Sequence, residues 1–392
     1  MRRFVILLLA IISIVLLTSC TKKVETCTVT EKDGVKIYKN KNIPSNSKFD
    51  IKTKELFTIY SYNTEVEDEK SYFSIPSDIG LDSKNNIYVH DMRNCTIVKF
   101  DEQGKFIDKF GGKGKGPTEF EASVYFCLLN DSIYVSDYAT GNIKQFDLDF
   151  NYIRTFSLKE NTIAHFLMSV GKDKFIAMKK SSTYDEATQE WPNYFKLDLM
   201  DHKFNTVKRI KEYEFNRDPI TRLYDKKYVF YDVFVPFISS DTEIITGDVS
   251  NDVFKLNVYD HNCKLKYKIK KNCVKIPYTP EEFIERFESR RSGEAKKVFY
   301  KRQIPFEGIH IDKRGYVYVK SIKKRDESNM YDLYYDVFKD GIYINNIKME
   351  IGKGYDYYSF HLIDFRGDRI YYSNPVDNYI KVYEYSYEGI DK

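Results

Sequence analysis

Ile87-Tyr88-Val89-His90-Asp91 recurs 46 residues later as Ile133-Tyr134-Val135-Ser136-Asp137. The same ungapped offset carries Ile97 to Ile143, Phe100-Asp101 to Phe146-Asp147, Ile107 to Ile153 and Phe110 to Phe156, nine identities in twenty-four positions. A second offset, of 283, sends Ile87-Tyr88 to Ile370-Tyr371, Ile97 to Ile380 and Phe100 to Tyr383. The first and last units of this region therefore share one plan, and self-similarity at a fixed period of this size marks a repeat architecture.

Looser copies fill the interval. Val317-Tyr318-Val319 repeats the first strand, and Tyr335-Asp336-Val337-Phe338-Lys339-Asp340-Gly341 repeats the strand and turn that follow it. Residues 243–269 supply another unit and residues 171–210 the most degenerate one, which makes six. Each unit reads as apolar alternation, a polar turn, alternation again, a turn rich in Gly, Asn or Asp, and a third strand, with a shorter strand ahead of it. Four short antiparallel strands in roughly 40 to 50 residues describe one blade of a β-propeller, so the fold class is all-β, a six-bladed propeller over residues 48–392. Closing the ring needs one more strand. Glu55-Leu56-Phe57-Thr58-Ile59-Tyr60 lies ahead of the first repeat and is expected to complete the blade made by residues 362–387. One insertion interrupts the pattern: Thr279-Pro280-Glu281-Glu282 has the capping residue, first-turn proline and glutamate of a helix start, which predicts a helical insertion over about 279–300.

The run 82–91, then Phe100-Asp101-Glu102-Gln103-Gly104-Lys105-Phe106, then Phe110-Gly111-Gly112-Lys113-Gly114-Lys115-Gly116-Pro117, resembles an NHL-type repeat. More closely it resembles the six-bladed β-propeller lipoproteins common in Bacteroidetes, whose first interblade loop is a similar glycine-rich stretch ending in Gly-Pro. The resemblance covers residues 50–390 and is clearest in blades one, two and six. It implies a fold and a location and carries no activity with it.

The N-terminus agrees on location. Met1-Arg2-Arg3 is a positive n-region, and Phe4 to Leu17 is apolar except for Ser13, too short to span a bilayer comfortably and suited to a signal peptide over residues 1–19. Leu17-Thr18-Ser19-Cys20 resembles the lipobox of bacterial lipoproteins, which implies lipidation of Cys20 and a membrane held through that anchor. Several acyl chains on one residue hold a protein where a single chain would not. Residues 20–47, rich in Lys, Asn, Thr and Ser, read as a flexible tether. Thr21 and the absence of an acidic run after Cys20 imply an outer-membrane location facing the periplasm.

Of 62 basic residues only Arg2 and Arg3 lie within 1–19, leaving 60 against 58 acidic ones, a balance that argues against a nucleic-acid partner. Beyond Cys20 stand Cys27, Cys95, Cys127, Cys263 and Cys273, with no C-x-x-C pair, so neither a zinc site nor a disulfide framework is indicated. The six histidines, His90, His165, His202, His261, His310 and His361, lack ligand spacing, and no G-x-S-x-G elbow occurs. The Gly111–Pro117 stretch lacks phosphate-loop spacing and reads as a link between blades.

A ligand face is expected where the loops leaving each second strand gather with those joining blades. Those loops carry His90, Asp91, Arg93 and Asn94; Asp137, Tyr138 and Asn142; Asn374, Asp377 and Asn378; and Lys113 and Lys115. Asp91 and Asp137 end equivalent strands and have an alternative use in holding turn amides; Arg93 and Tyr138 are less repeated. Two functions stay open. One is a binding or scaffold module for an envelope protein, peptide or glycan, with no cofactor. The other is a lactonase- or lyase-like enzyme with a metal such as calcium held in the central channel by groups from several blades.

Overall fold

The computed structural model of the protein describes residues 24–61, 71–158, 162–182, 193–215, 234–277, 279, 300–321, 330–355, 363–374 and 378–390. Their regular structure is entirely β. The chain begins with β1 (Cys27–Lys32), β2 (Val35–Asn40) and β3 (Asp50–Tyr60). Blade one is β4 (Pro76–Leu81), β5 (Ile87–Asp91), β6 (Thr96–Phe100) and β7 (Phe106–Gly111). Blade two is β8 (Ser123–Leu129), β9 (Ser132–Asp137), β10 (Asn142–Asp147) and β11 (Tyr152–Ser157). Blade three is β12 (Thr162–Val170), β13 (Lys174–Ser182), β14 (Asn193–Met200) and β15 (Thr206–Phe215). Blade four has β16 (Phe237–Ser239), β17 (Ile244–Gly247), β18 (Phe254–Tyr259) and β19 (Leu265–Lys271). Blade five has β20 (Ile309–Ile311), β21 (Val317–Lys320), β22 (Met330–Lys339) and β23 (Ile342–Tyr355). Blade six takes β24 (Ile363–Arg366), β25 (Arg369–Asn374) and β26 (Tyr379–Glu388) from the end of the chain and β3 from its beginning.

Ring closure follows the expectation and goes further. β3 runs antiparallel to β26 from Tyr60 opposite Tyr379 to Asp50 opposite Glu388, so the pairing includes residues 50–54 as well as 55–60. Apolar clusters fill the contacts between neighbouring blades. At the closure, Ile59 packs with Ile380 and Val382 of blade six and with Ile79, Ile87 and Val89 of blade one. Each such aliphatic side chain is worth about 1.5–3 kcal/mol when fully buried. A repeated hydrogen bond ties blade to blade. Ser136 Oγ donates to Ala164 O at 2.6 Å, and Ser373, its counterpart in blade six, donates to Pro76 O at 3.2 Å across the closure.

The turns between third and fourth strands explain the repeated aromatic-Asp pair. Asp101 Oδ1 accepts from the amides of Gln103 and Lys105 at 3.0 and 2.8 Å. Asp147, Asp201 and Asp260 do the same two and four residues on. Three residues after each aspartate the backbone turns left-handed, at Gly104, Phe150, Phe204 and Cys263. The strain of a non-glycine residue there is offset by packing: Phe150 stacks on Phe110 at 4.3 Å and Phe204 on Phe175 at 4.5 Å between ring centroids.

The tether requires correction. Residues 27–40 form a hairpin on the two-residue turn Asp33-Gly34, both with positive φ (53° and 74°), which suits the twist of paired strands. β2 then lies parallel to β19 and enlarges blade four to six strands, because an open blade edge offers unpaired backbone groups for a strand to satisfy. Buried Asn40 fixes the join. Its Nδ2 donates to Lys270 O and Gly341 O at 3.2 and 2.9 Å, and its Oδ1 accepts from Tyr343 N at 2.8 Å. The signal peptide, Cys20 and almost all of the expected helical insertion lie outside the described residues.

Candidate functional site

On the expected ligand face, Asp91, Asp137 and His90 hold structural positions, while Arg93 and Lys115 are exposed. Asp91 is fully buried. Its carboxylate accepts from the amides of Ser74, Ile75, Arg93 and Asn94 at 2.8, 3.0, 3.1 and 3.4 Å, and from Asn94 Nδ2 at 2.6 Å. Asp137 repeats this with the amides of Glu121, Ala122 and Ala139. Both aspartates pin the entry of their own blade to the turn after its second strand. His90 is buried with Nδ1 2.7 Å from Ser77 Oγ, and burial holds its imidazole down at about 4, neutral at physiological pH. Arg93 is exposed, Tyr138 packs edge-on against His165 at 5.0 Å, and Asn374 Nδ2 donates to Tyr379 Oη at 3.2 Å. Lys113 pairs its backbone with Phe120, and Lys115 is an exposed partner of Glu121. Lys144 donates to Gly116 O and Glu119 O and so fastens the glycine-rich link. Asp377 lies outside the described residues.

A cavity of about 370 Å³ lies instead in the channel, toward the opposite end. All six inner strands contribute to it: β4, β8, β12, β16, β20 and β24. Its wall reaches the turns that lead from first to second strands, at Ser240 to Thr242, Asp312, Lys313, Gly315 and Gly367. At the inner end stand Tyr125, Phe166 and Phe306, with ring centroids 4.2 Å (Tyr125–Phe166) and 4.4 Å (Phe166–Phe306) apart; Phe234 packs behind them. Gly80 sets the approach of blades one and two, since a β-carbon there would collide with Leu128 Cδ1.

Polar groups on this wall come from several blades. Arg366 Nε donates to Asp364 Oδ2 at 2.8 Å, while no described residue accepts from its two Nη groups, and solvent reaches about half of the side chain (49%). Asp78 stands near this pair. Its Oδ1 accepts from Ile79 N at 2.9 Å and its Oδ2 from Phe126 N at 3.4 Å. Burial pushes the carboxyls of Asp78 and Asp364 up; at Asp78 the Asp364 charge adds to the rise. Glu307 accepts Tyr125 Oη on Oε1 at 2.8 Å, and its Oε2 is buried with no hydrogen-bond partner among the described residues. Burial pushes this carboxyl up to about 7. Ser239, a lining residue, has its Oγ buried with no hydrogen-bond partner among the described residues.

The arrangement offers guanidinium donors with apolar surface around them, which suits recognition of a small polar molecule. Among the described residues no three His, Cys, Asp or Glu side chains converge as metal ligands would. The channel carboxylates Asp78 and Asp364 are grouped with a guanidinium instead. Inner-strand charges were the available signal: Asp78, Asp364 and Arg366 interrupt strands that otherwise read as buried. Glu307 lies in irregular chain and left no pattern to read.

Comparison with known proteins agrees with this architecture. A protein of Bacteroides fragilis described as exported is similar over 91% of this chain and 100% of its own, with 13% identity and a TM-score of 0.52. A member of the duf4221 family from Bacteroides vulgatus is similar over 88% and 99%, with 12% identity and a TM-score of 0.51. Virginiamycin B lyase from Staphylococcus aureus follows over 86% and 99% at 9% identity and a TM-score of 0.42, too distant to bear on activity. None of the curated proteins matches the sequence. The 6-bladed beta-propeller family matches residues 39–244, more than half of the sequence, and the chain belongs to that family.

Proposed function

We propose that the chain is a lipid-anchored bacterial envelope protein that binds a small ligand, or the end of a peptide or glycan, in the channel cavity. One observation carries the reading. A cavity built by all six blades is lined by Arg366, from whose Nη donors no described residue accepts. Arg366 is about half exposed, so these donors are available to a ligand's own polar atoms in place of water. The volume lies near the lower end of the roughly 300–1,000 Å³ usual for small-molecule sites and suits a sugar or an amino-acid residue better than a folded surface. Arg366 favours a ligand with a carboxylate or other anionic group, because its free fork matches such a group with two parallel bonds.

Acid–base chemistry is a second reading, favoured by Glu307, whose carboxyl is poised near neutrality beside a tyrosine hydroxyl. Calorimetric titration of the mature protein with acidic sugars, oligosaccharides and short peptides tests the binding reading, with Arg366→Leu measured alongside. Saturable binding of an anionic ligand that weakens by about tenfold or more in the variant supports it. No saturable binding, or binding indifferent to Arg366, rejects the channel as the site. Turnover of any bound ligand moves the reading to the enzyme.

A further inference from the structure

The docked hairpin carries a charge pattern that ring closure does not require. Val35, Ile37 and Lys39 alternate onto one face of β2, and the residues opposite them share it: Lys32, Thr30 and Thr28 on β1, Lys268 and Lys270 on β19. Lys32, Lys39 and Lys270 are exposed and Lys268 half-buried, and no ion pair among the described residues neutralises any of the four. The one carboxylate of these three strands, Glu31, sits opposite Lys36 on the other face. Lys39 and Lys270 are direct neighbours across strands about 4.8 Å apart. Like charges placed so destabilise a sheet unless something anionic covers them.

We infer that this lysine face lies against the anionic headgroups of the membrane, so that the ring stands on the bilayer by the outer edge of blade four. The inference rests on the proposed lipidation of Cys20. Only six residues separate Cys20 from Cys27, and at no more than about 3.6 Å per residue they reach about 25 Å. Asn40 and Lys39 pair with Cys27 and Thr28, so Lys39 and Lys270 stand at the end of the hairpin where that short leash arrives. A surface charge acts over about 8 Å at physiological salt. The leash holds the patch within about 25 Å of the anchor, so that it can come down within that range, whereas a tether running to residue 47 would let it stand several times farther off. Acyl chains with an adjacent basic patch form a two-part membrane attachment.

The test uses the full mature lipoprotein in vesicles of phosphatidylcholine with and without phosphatidylglycerol. A pulse of amine-reactive label is read residue by residue by mass spectrometry, and the intact mass reports acylation of Cys20. The expected result is loss of labelling at Lys39, Lys268 and Lys270 in the anionic vesicles and its return at high salt. Lys54 and Lys115, exposed on other blades, stay labelled throughout. Equal labelling of the three lysines in both vesicles, with Cys20 acylated, overturns the inference and leaves the anchor standing. Absence of acyl mass on Cys20 overturns the anchor, and the inference falls with it.

Discussion

Glu307→Gln removes a charge from the channel wall while keeping the oxygen that Tyr125 uses. In the folded chain burial pushes the Glu307 carboxyl up to about 7 from its ordinary 4.5. The unfolded chain releases this proton near the lower value and the folded chain near the higher one. Between them the folded state binds more protons, so stability falls as pH rises through that interval. At about 1.4 kcal/mol per pH unit the full loss is about 3 kcal/mol, complete above pH 7 and absent below 4.5. Glutamine does not titrate. The variant is therefore expected to be more stable than the parent by up to about 3 kcal/mol at pH 8, with the difference vanishing toward pH 4.5.

Other buried groups shape the absolute curve too: the raised carboxyls of Asp78 and Asp364 act in the same sense, and three histidines in the opposite one. His90, His165 and His310 are held down by burial, at about 4, 4 and 3. Their depressed values contribute stability above the ordinary 6.5 that is lost as pH falls. They are common to both proteins and cancel in the difference. Urea unfolding followed by circular dichroism at half-unit steps from pH 4.5 to 8 measures it. A difference that is constant across the range, or that grows toward acid, refutes the assignment of Glu307 as a carboxyl kept neutral by burial.

Asp91→Ala strips five hydrogen bonds from a buried turn and is expected to cost about 3 kcal/mol or more, whereas Arg93→Ala, two residues on and exposed, stays within about 0.5 kcal/mol. Chemical denaturation of the two variants separates a structural aspartate from a surface arginine. Asn40→Ala leaves Tyr343 N and Gly341 O unmatched at the hairpin join and is expected to cost about 2–4 kcal/mol, with hydrogen exchange rising first in β1 and β2. Phe150→Gly recovers about 1 kcal/mol of left-handed backbone strain but forfeits about 3–5 kcal/mol of aromatic packing, so thermal unfolding should show a net loss.

The ring was legible because its repeated residues do repeated physical work. Asp101 and Asp147 match because each ties the same turn, and Ile87 and Ile133 match because each is a fully buried strand residue between blades. The closing strand was legible as an orphan: its alternating residues had no blade of their own. The hairpin was missed although Asp33-Gly34 stood between Thr28-Val29-Thr30 and Val35-Lys36-Ile37-Tyr38, a two-residue turn of the kind that joins strands. Its polar composition outweighed the turn, and nothing local indicates that the sixteenth to nineteenth strands leave an edge for it. A strand that pairs with a partner some 230 residues away is specified by the partner's free edge as much as by its own residues.

The channel cavity was hard to read for a related reason. Loops around one end of the ring were favoured because they carry varied polar residues, yet polar residues in turns are consumed first by the turns themselves, as Asp91 and Asp137 are. A better criterion is polarity in the wrong place. Charges on an inner strand are such a case: Ile363 and Phe365 are buried, whereas Asp364 is half-buried and Arg366 exposed, and all four line the cavity. A charged residue there has no turn to hold, and among the described residues Arg366 bonds only to Asp364 on its own strand. Its Nη donors are left to solvent or to a ligand, and that surplus, rather than any motif, is what the channel reading rests on.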